Sequence, residues 1–359
     1  MILNSTPSLK ICSSCVHRNP GLRDELYCQI MKQTTNNKSS KPDSCIRGWR
    51  LFSMITAYFQ SSEGLKPYLF KYLETAAYDT RRAYHGTARV CLHNLRKTYK
   101  YGGRKNVPGI EEVAAISAGR NHKRQMFRIP GGSERVVNTK STTVVQDVIE
   151  EMCSALNVRR QQEMDEFSLY CVVDGDPYSL PLGREEYILD VTTEIQKEGA
   201  PFYLIFCRSV WVSPVRLDNV LSVEVAFNQV APDYLEGLLL EWPVAPNSPL
   251  VLAMARGAAL LQRASGAVQP PHKEEIRYLI PKPAVVQRDI SSTRWQDMVN
   301  QSWEDMAAIT PTEAKAQFLG KNTTINTIVL DLLNTSQRLH PTPITDSFKL
   351  YSIFRLTYK

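Results

Sequence analysis

The apolar residues of this chain change period twice, and those changes divide it into three regions. From Pro20 to Glu74 the period is helical: Leu22, Leu26 and Ile30 share one face, and Trp49, Phe52, Ile55 and Phe59 form a second 3.6-residue stripe. The polar stretch Thr34 to Asp43 separates the two, and Pro67 can open a third helix carrying Leu69, Tyr72, Leu73 and Ala76. A fourth helix is predicted from about Thr87 to Tyr101, stopped by Gly102-Gly103.

From Gln125 onward the spacing is that of strands. Gln125 to Ile129, the turn signal Pro130-Gly131-Gly132 and Arg135 to Asn138 read as strand, connection and strand. Thr143 to Gln146 has the form of a capping box, followed by the apolar face of Val145, Val148, Ile149, Met152 and Leu156. Phe167 to Val173 and Phe202 to Cys207 are two more runs of strand length. Two strands, a helix and two further strands in so short a span predict a small α+β roll of ubiquitin type.

The helical period then returns. Leu221, Val223, Val225 and Phe227 alternate as in a strand, yet Leu217, Leu221 and Val225 also fit a helix, and periodicity leaves both open. Gly257 to Arg263 and Trp295 to Met306 read as helices. Thr310-Pro311-Thr312-Glu313 is a capping box for one more, which Gly320 can end. Beyond Lys321 no apolar period is sustained, and a poorly packed tail is expected. A chain of 359 residues with this grammar is α+β and multidomain.

Charge is concentrated in one place. The chain carries a net charge of +7, and the segment Arg81 to Arg124 holds eleven Lys and Arg against two carboxylates, Glu111 and Glu112. The remainder is close to neutral. On the predicted fourth helix, Ala88, Leu92, Leu95 and Tyr99 form an apolar stripe, and Arg89, His93, Arg96, Lys97 and Lys100 occupy a separate sector. Arg104, Lys105, Arg120, Lys123 and Arg124 extend the charge past the helix. A solvated face would look the same, but the concentration points to a docking surface for an acidic polymer or an anionic membrane. Nucleic acid is a competing partner, using Tyr84, Tyr99 and Tyr101 for stacking. It is set aside because Tyr99 lies on the apolar stripe.

Catalytic motifs are missing from the sequence. No P-loop, G-x-G-x-x-G, H-E-x-x-H or G-x-S-x-G occurs. Cys12 and Cys15, with His17, Cys28 and Cys45 near, lack the paired spacing of structural zinc. Cys12 to Arg18 has the spacing of a cysteine phosphatase loop, but its interior holds no glycine to bring backbone amides around phosphate. A cysteine-dependent enzyme is therefore the weaker rival. No catalytic residue, metal or cofactor is expected. Pro249 to Leu261, the longest nearly apolar stretch, is cut by Arg256 and too short to span a bilayer. No signal peptide is read, and the eight cysteines are taken as cytosolic thiols.

LRDELYCQIMKQTTNN followed by RGWRLFSMITAYFQSSEGLKPYLFKYLE resembles the myosin tail homology four domain. QMFRIPGGSERVVNTKSTTVVQDVIEEMC with EFSLYCVV resembles the first, ubiquitin-like lobe of a FERM domain. LDNVLSVEVAFNQVAPDYLEGLLL through EAKAQFL resembles its second lobe, a bundle like acyl-CoA-binding proteins, which favours helix over strand at 217–227. The tandem is that of unconventional myosin tails, nearest in wording to class fifteen. On this resemblance residues 1–19 are an unrelated segment, 20–121 a partial tail homology domain, 122–212 the first lobe and 213–319 the second. Residues 320–359 are a divergent tail where a third lobe would follow, so the chain reads as truncated at both ends. The resemblance implies a non-catalytic module of cytoplasm and cytoskeleton, working in actin-rich protrusions such as stereocilia or filopodia. Its implied partners are microtubule or actin-associated proteins, cargo peptides and anionic membrane. Thr357-Tyr358-Lys359 lacks the apolar last residue of a PDZ ligand, so no PDZ-type partner is expected there. With the opening helices missing, the stripe of Trp49, Phe52 and Ile55 is expected to be partly uncovered.

Overall fold

The computed structural model describes residues 21–41, 43–176, 179–287 and 289–320. Its contacts divide the chain into two compact units: residues 1–125, 136–148 and 183–201 in the first, and 126–135, 149–182 and 202–359 in the second. The sequence boundary near residue 121 therefore does not coincide with the break in contacts.

The first unit is built on α1 (Gly21–Thr34), α2 (Ser44–Tyr58), α3 (Lys66–Tyr78), α4 (His85–Tyr101) and the short α5 (Ile110–Ser117). Helix α4 packs along both α2 and α3, and α1 lies against α2. Their shared core contains Tyr27, Ile30, Trp49, Phe52, Leu69, Leu73, Leu92 and Leu95. The stripe expected to be partly uncovered is in fact closed: Trp49 is 4% exposed, Phe52 0% and Ile55 6%. Tyr27, fully buried, packs on Phe52, and Tyr72 and Tyr84 stack on Trp49, whereas Leu22 is 46% exposed. The Tyr27 hydroxyl donates to the Phe59 carbonyl oxygen at 2.6 Å, so the ring is buried with its polar end satisfied. Each such aromatic contributes roughly 1.5–3 kcal/mol on burial.

Polar side chains fasten the same helices. Asn94 donates to the Ser53 carbonyl at 2.9 Å, and Thr98 donates to that of Thr56 at 2.7 Å. After Gly102, whose φ of 83° ends α4, the chain passes so close to the end of α2 that a Cβ on Gly103 would lie 1.9 Å from the Tyr58 carbonyl oxygen. Only glycine fits there.

The strands are β1 (Lys123–Arg128), β2 (Glu134–Thr139), β3 (Phe167–Val173), β4 (Ser179–Pro181) and β5 (Phe202–Arg208), in the order β2-β1-β5-β3-β4. Strands β1 and β5 are parallel, with Phe127 opposite Leu204; β3 and β5 are antiparallel, with Leu169 opposite Phe206. Helices α6 (Val145–Ala155), α7 (Gln161–Met164) and α8 (Ile188–Glu198) complete the ubiquitin-like pattern. The capping box expected at Thr143 to Gln146 does not form. The amides of Val145 and Gln146 donate instead to the Glu186 and Arg184 carbonyls, while Asp147 turns back to the Val144 amide.

The rest of the second unit is helical: α9 (Val220–Glu236), α10 (Pro249–Ala264), α11 (Lys282–Gln287), α12 (Ser292–Asp305) and α13 (Pro311–Leu319), with a 3-10 turn at Ile276–Tyr278. The segment whose period left strand and helix open is thus helical, as the resemblance favoured. Phe318 of α13 meets Phe227 and Tyr234 of α9 edge-on, each at 5.4 Å. Helix α10 buries Ala255, Ala258 and Ala259, small enough to admit α12 and α13 closely. The box at Thr310 and Glu313 forms as its sequence predicts. No described helix is long and apolar enough to cross a membrane.

Candidate docking surface

The nine cations singled out from sequence all lie in the first unit, and they separate into three kinds. Arg104 is the first. Although it follows a glycine pair in a polar stretch, its side chain is fully buried. Its Nε donates to Asp190 at 2.9 Å, its Nη1 pairs with Glu112, and its guanidinium lies 5.0 Å from the Tyr58 ring centroid. Burial works against its charge, but Tyr58, Glu112 and Asp190 together hold its pKa above the ordinary value. Asp190 also accepts from the Lys105 amide at 2.7 Å, and Tyr187 donates to the Gly102 carbonyl at 2.6 Å. Burial pushes the Tyr187 hydroxyl up to about 12, so it is a donor at any physiological pH. Arg104 therefore cannot meet an external partner. It ties the segment after α4 to the start of α8, and it is withdrawn from the contact set on that ground.

Arg96, Lys97 and Lys100 are the second kind. Arg96 pairs with Glu74 at 3.1 Å and also reaches the Tyr78 hydroxyl. Lys97 pairs with Asp147, and its side chain is only 18% exposed. Lys100 is exposed and lies 4.8 Å from the Tyr101 ring centroid. The sector that helical geometry assigned to solvent is thus partly engaged within the unit. Replacing Lys97 by a carboxylate would set it against Asp147 and disturb packing as well as charge. His93, in the same sector, has its pKa lowered by burial first and then by Lys140 and Lys97.

Arg89, Lys105, Arg120, Lys123 and Arg124 are the third kind. All five are exposed. Arg89 Nε donates to the Ala77 carbonyl at 3.2 Å, a cation at the C-terminal end of α3. Among the described residues none of the five forms an ion pair with a carboxylate. The Lys123 carbonyl accepts from Thr139 at 3.1 Å, which fixes the start of β1 and presents Lys123 and Arg124 from an ordered strand.

The rival chemistries find little support among the described residues. Tyr99 shares a hydrogen bond of 2.8 Å with Ser61 and packs against Phe70, so its ring is committed to packing, while the half-buried Tyr84 stacks on Trp49. The buried thiols of Cys171 and Cys207 are pushed up by burial to about 11 and about 12, which makes them poor nucleophiles. No group of three potential metal ligands occurs among the described residues. Cys12, Cys15, His17 and Arg18 lie outside them, as do Thr357, Tyr358 and Lys359.

Comparison with known proteins bears on the affiliation. The MyTH4 domain family matches residues 9–115. Human unconventional myosin-XV is 38% identical over 313 residues, 87% of this chain and 9% of that protein. The chain carries a match to the MyTH4 domain and over most of its length is similar to an unconventional myosin. Myosin-VIIa of Drosophila melanogaster is 26% identical over 83% of the chain and 14% of its own length. The chain thus spans about a tenth of the curated relatives it matches. In fold it is similar to the C-terminal MyTH4-FERM domain of human myosin 7b, solved with the harmonin-a PDZ3 domain, at a TM-score of 0.60. That likeness has 23% identity and covers 88% of this chain and 64% of the other.

The internal pairing of Arg104 and of Lys97 escaped sequence reasoning. Glu111-Glu112, the only acids among eleven cations, were a usable signal that one cation is spent internally. Asp147 and Asp190 are too distant in sequence to leave any.

Proposed function

We propose that the chain is a non-catalytic docking module that holds an acidic cytoskeletal surface, such as that of a microtubule, through Arg89, Lys105, Arg120, Lys123 and Arg124. The observation that carries this reading is that these five cations are exposed and have no carboxylate partner among the described residues, whereas Arg104 is sealed inside. Surface cations without a carboxylate partner gain from an acidic one without first breaking an internal ion pair. The module would work at the cytoskeleton in the cytoplasm, including actin-rich protrusions, with the FERM lobes left for cargo peptides. A solved complex of a related fold with a PDZ domain supports a protein partner as the class.

The test is co-sedimentation with microtubules at low salt. The parent chain is expected to pellet, and a chain carrying Arg120→Glu, Lys123→Glu and Arg124→Glu is expected to stay in solution with an unchanged melting curve. Equal pelleting would leave these cations as a solvated face. Vesicles with acidic lipid form the comparison arm, and stronger binding there would assign the surface to membrane.

A further inference from the structure

The first unit carries a second place for an anion, on a different part of its surface. A cleft of about 1050 Å3 opens between the end of α1, the connection after it, the start of α2, the outer face of α3 and the turn before α4. Its floor is aromatic: the half-buried rings of Tyr72 and Tyr84 stack on the buried Trp49, at 6.1 and 6.5 Å between ring centroids. One wall is hydroxylic, where Thr34 and Tyr72 share a hydrogen bond of 2.7 Å. Lys41, Lys71 and Arg82 stand around it, and none of its lining residues is Asp or Glu. Arg82 has a partner outside the lining, Asp79 at 3.5 Å, but Lys41 and Lys71 form no ion pair among the described residues.

We propose that this cleft takes an acidic peptide segment with an aromatic or large aliphatic anchor. The anchor would lie on the half-buried rings of Tyr72 and Tyr84, which the buried Trp49 backs, and the flanking carboxylates would meet Lys41, Lys71 and Arg82. Charge complementarity selects the acid: three cations come from three separate elements, with no lining carboxylate to oppose them. The floor selects the anchor. A compact polyphosphate would leave the aromatic rings unused, and an uncharged apolar ligand would leave the lysines unused. The volume sits at the upper end for small-molecule sites, room for several side chains of a peptide. The inference rests on reading the chain as a docking module and adds a site that shares no residue with the cations proposed above.

The experiment is selection of a random peptide library on the full chain, followed by affinity measurement of the enriched peptides. Enriched sequences are expected to be net acidic and to contain Trp, Phe or Leu. Their affinity should fall about tenfold when Lys41→Glu and Lys71→Glu are combined, since both rim contacts reverse sign. It should stay unchanged in the Arg120→Glu, Lys123→Glu, Arg124→Glu chain. Both lysines are exposed, so melting should not move; if it does, Lys71→Ala serves as the milder change and should still weaken binding. Neutral or basic winners, or equal affinity in the Lys41/Lys71 variant, would overturn the proposal. So would displacement of the peptide by acidic vesicles, which would mark a lipid headgroup site. A parent chain that binds peptide but never pellets with microtubules would contradict the docking surface and leave this cleft standing.

Discussion

Arg104 and Arg120 belong to the same basic segment, and they are used in opposite ways. Arg104 is fully enclosed between Glu112 and Asp190, while Arg120 is exposed and has no ion-pair partner among the described residues. A buried cation is tolerated only when carboxylates and hydrogen bonds replace its water, and it then becomes a structural fastening. An exposed cation costs nothing to keep and stays available to a partner. Local charge density marks both alike, and burial tells them apart.

Substitutions can break that contrast, and the largest effect is expected at Arg104. Arg104→Met leaves Glu112 and Asp190 confined without their counter-charge, and should destabilise the chain by about 3–5 kcal/mol. Urea unfolding would read this as a lowered midpoint, and a loss below ~1 kcal/mol would show that the two carboxylates reach water easily. Gly103→Ala comes next: a Cβ at 1.9 Å from the Tyr58 carbonyl must push the strand of chain that delivers Arg104. The cost should be about 1–3 kcal/mol by overpacking, measured as a drop in melting temperature. Arg120→Gln, Lys123→Gln and Arg124→Gln should each change stability by less than about 0.5 kcal/mol. Their combined effect should appear in binding to microtubules, as a flatter dependence on salt.

The smallest effect is a pH dependence at His93. Its folded-state pKa lies below its unfolded value, through burial and the nearby Lys140 and Lys97, with Asp147 opposing. The unfolded chain therefore binds the proton more readily, and stability falls as pH drops below about 6.5. His93→Gln should make the melting temperature less sensitive to acid between about pH 6.5 and 5. An unchanged slope would place His93 in an ordinary solvated setting.

How much of this was legible in the sequence varied with the range of the interaction. Three local signals held, the glycine stop after Tyr101, the turn before β2 and the box at Thr310, since each depends on neighbouring residues. The box at Thr143 failed because the Glu186 and Arg184 carbonyls, distant in sequence, take the amides. The apolar stripes of α2 and α4 were readable for the same reason. That Tyr27 packs on the α2 stripe was not, because Leu22 and Leu26 carry the stronger helical period. Nor could α4 show which of its cations were engaged. The partners of Arg96, Lys97 and Arg104 include Glu74, Asp147 and Asp190, which only the tertiary fold brings near. The helical period identifies a polar face but not what rests upon it.

The division of the basic segment into fastening and docking cations is tested most directly by lysine acylation, read by mass spectrometry, on the chain free and bound to microtubules. Lys105 and Lys123 should react in the free chain and be protected in the complex. Lys97, paired with Asp147, should react weakly in both, and Lys282 of the second unit should react equally in both. Full reactivity of Lys105 and Lys123 in the bound chain would contradict the proposed surface.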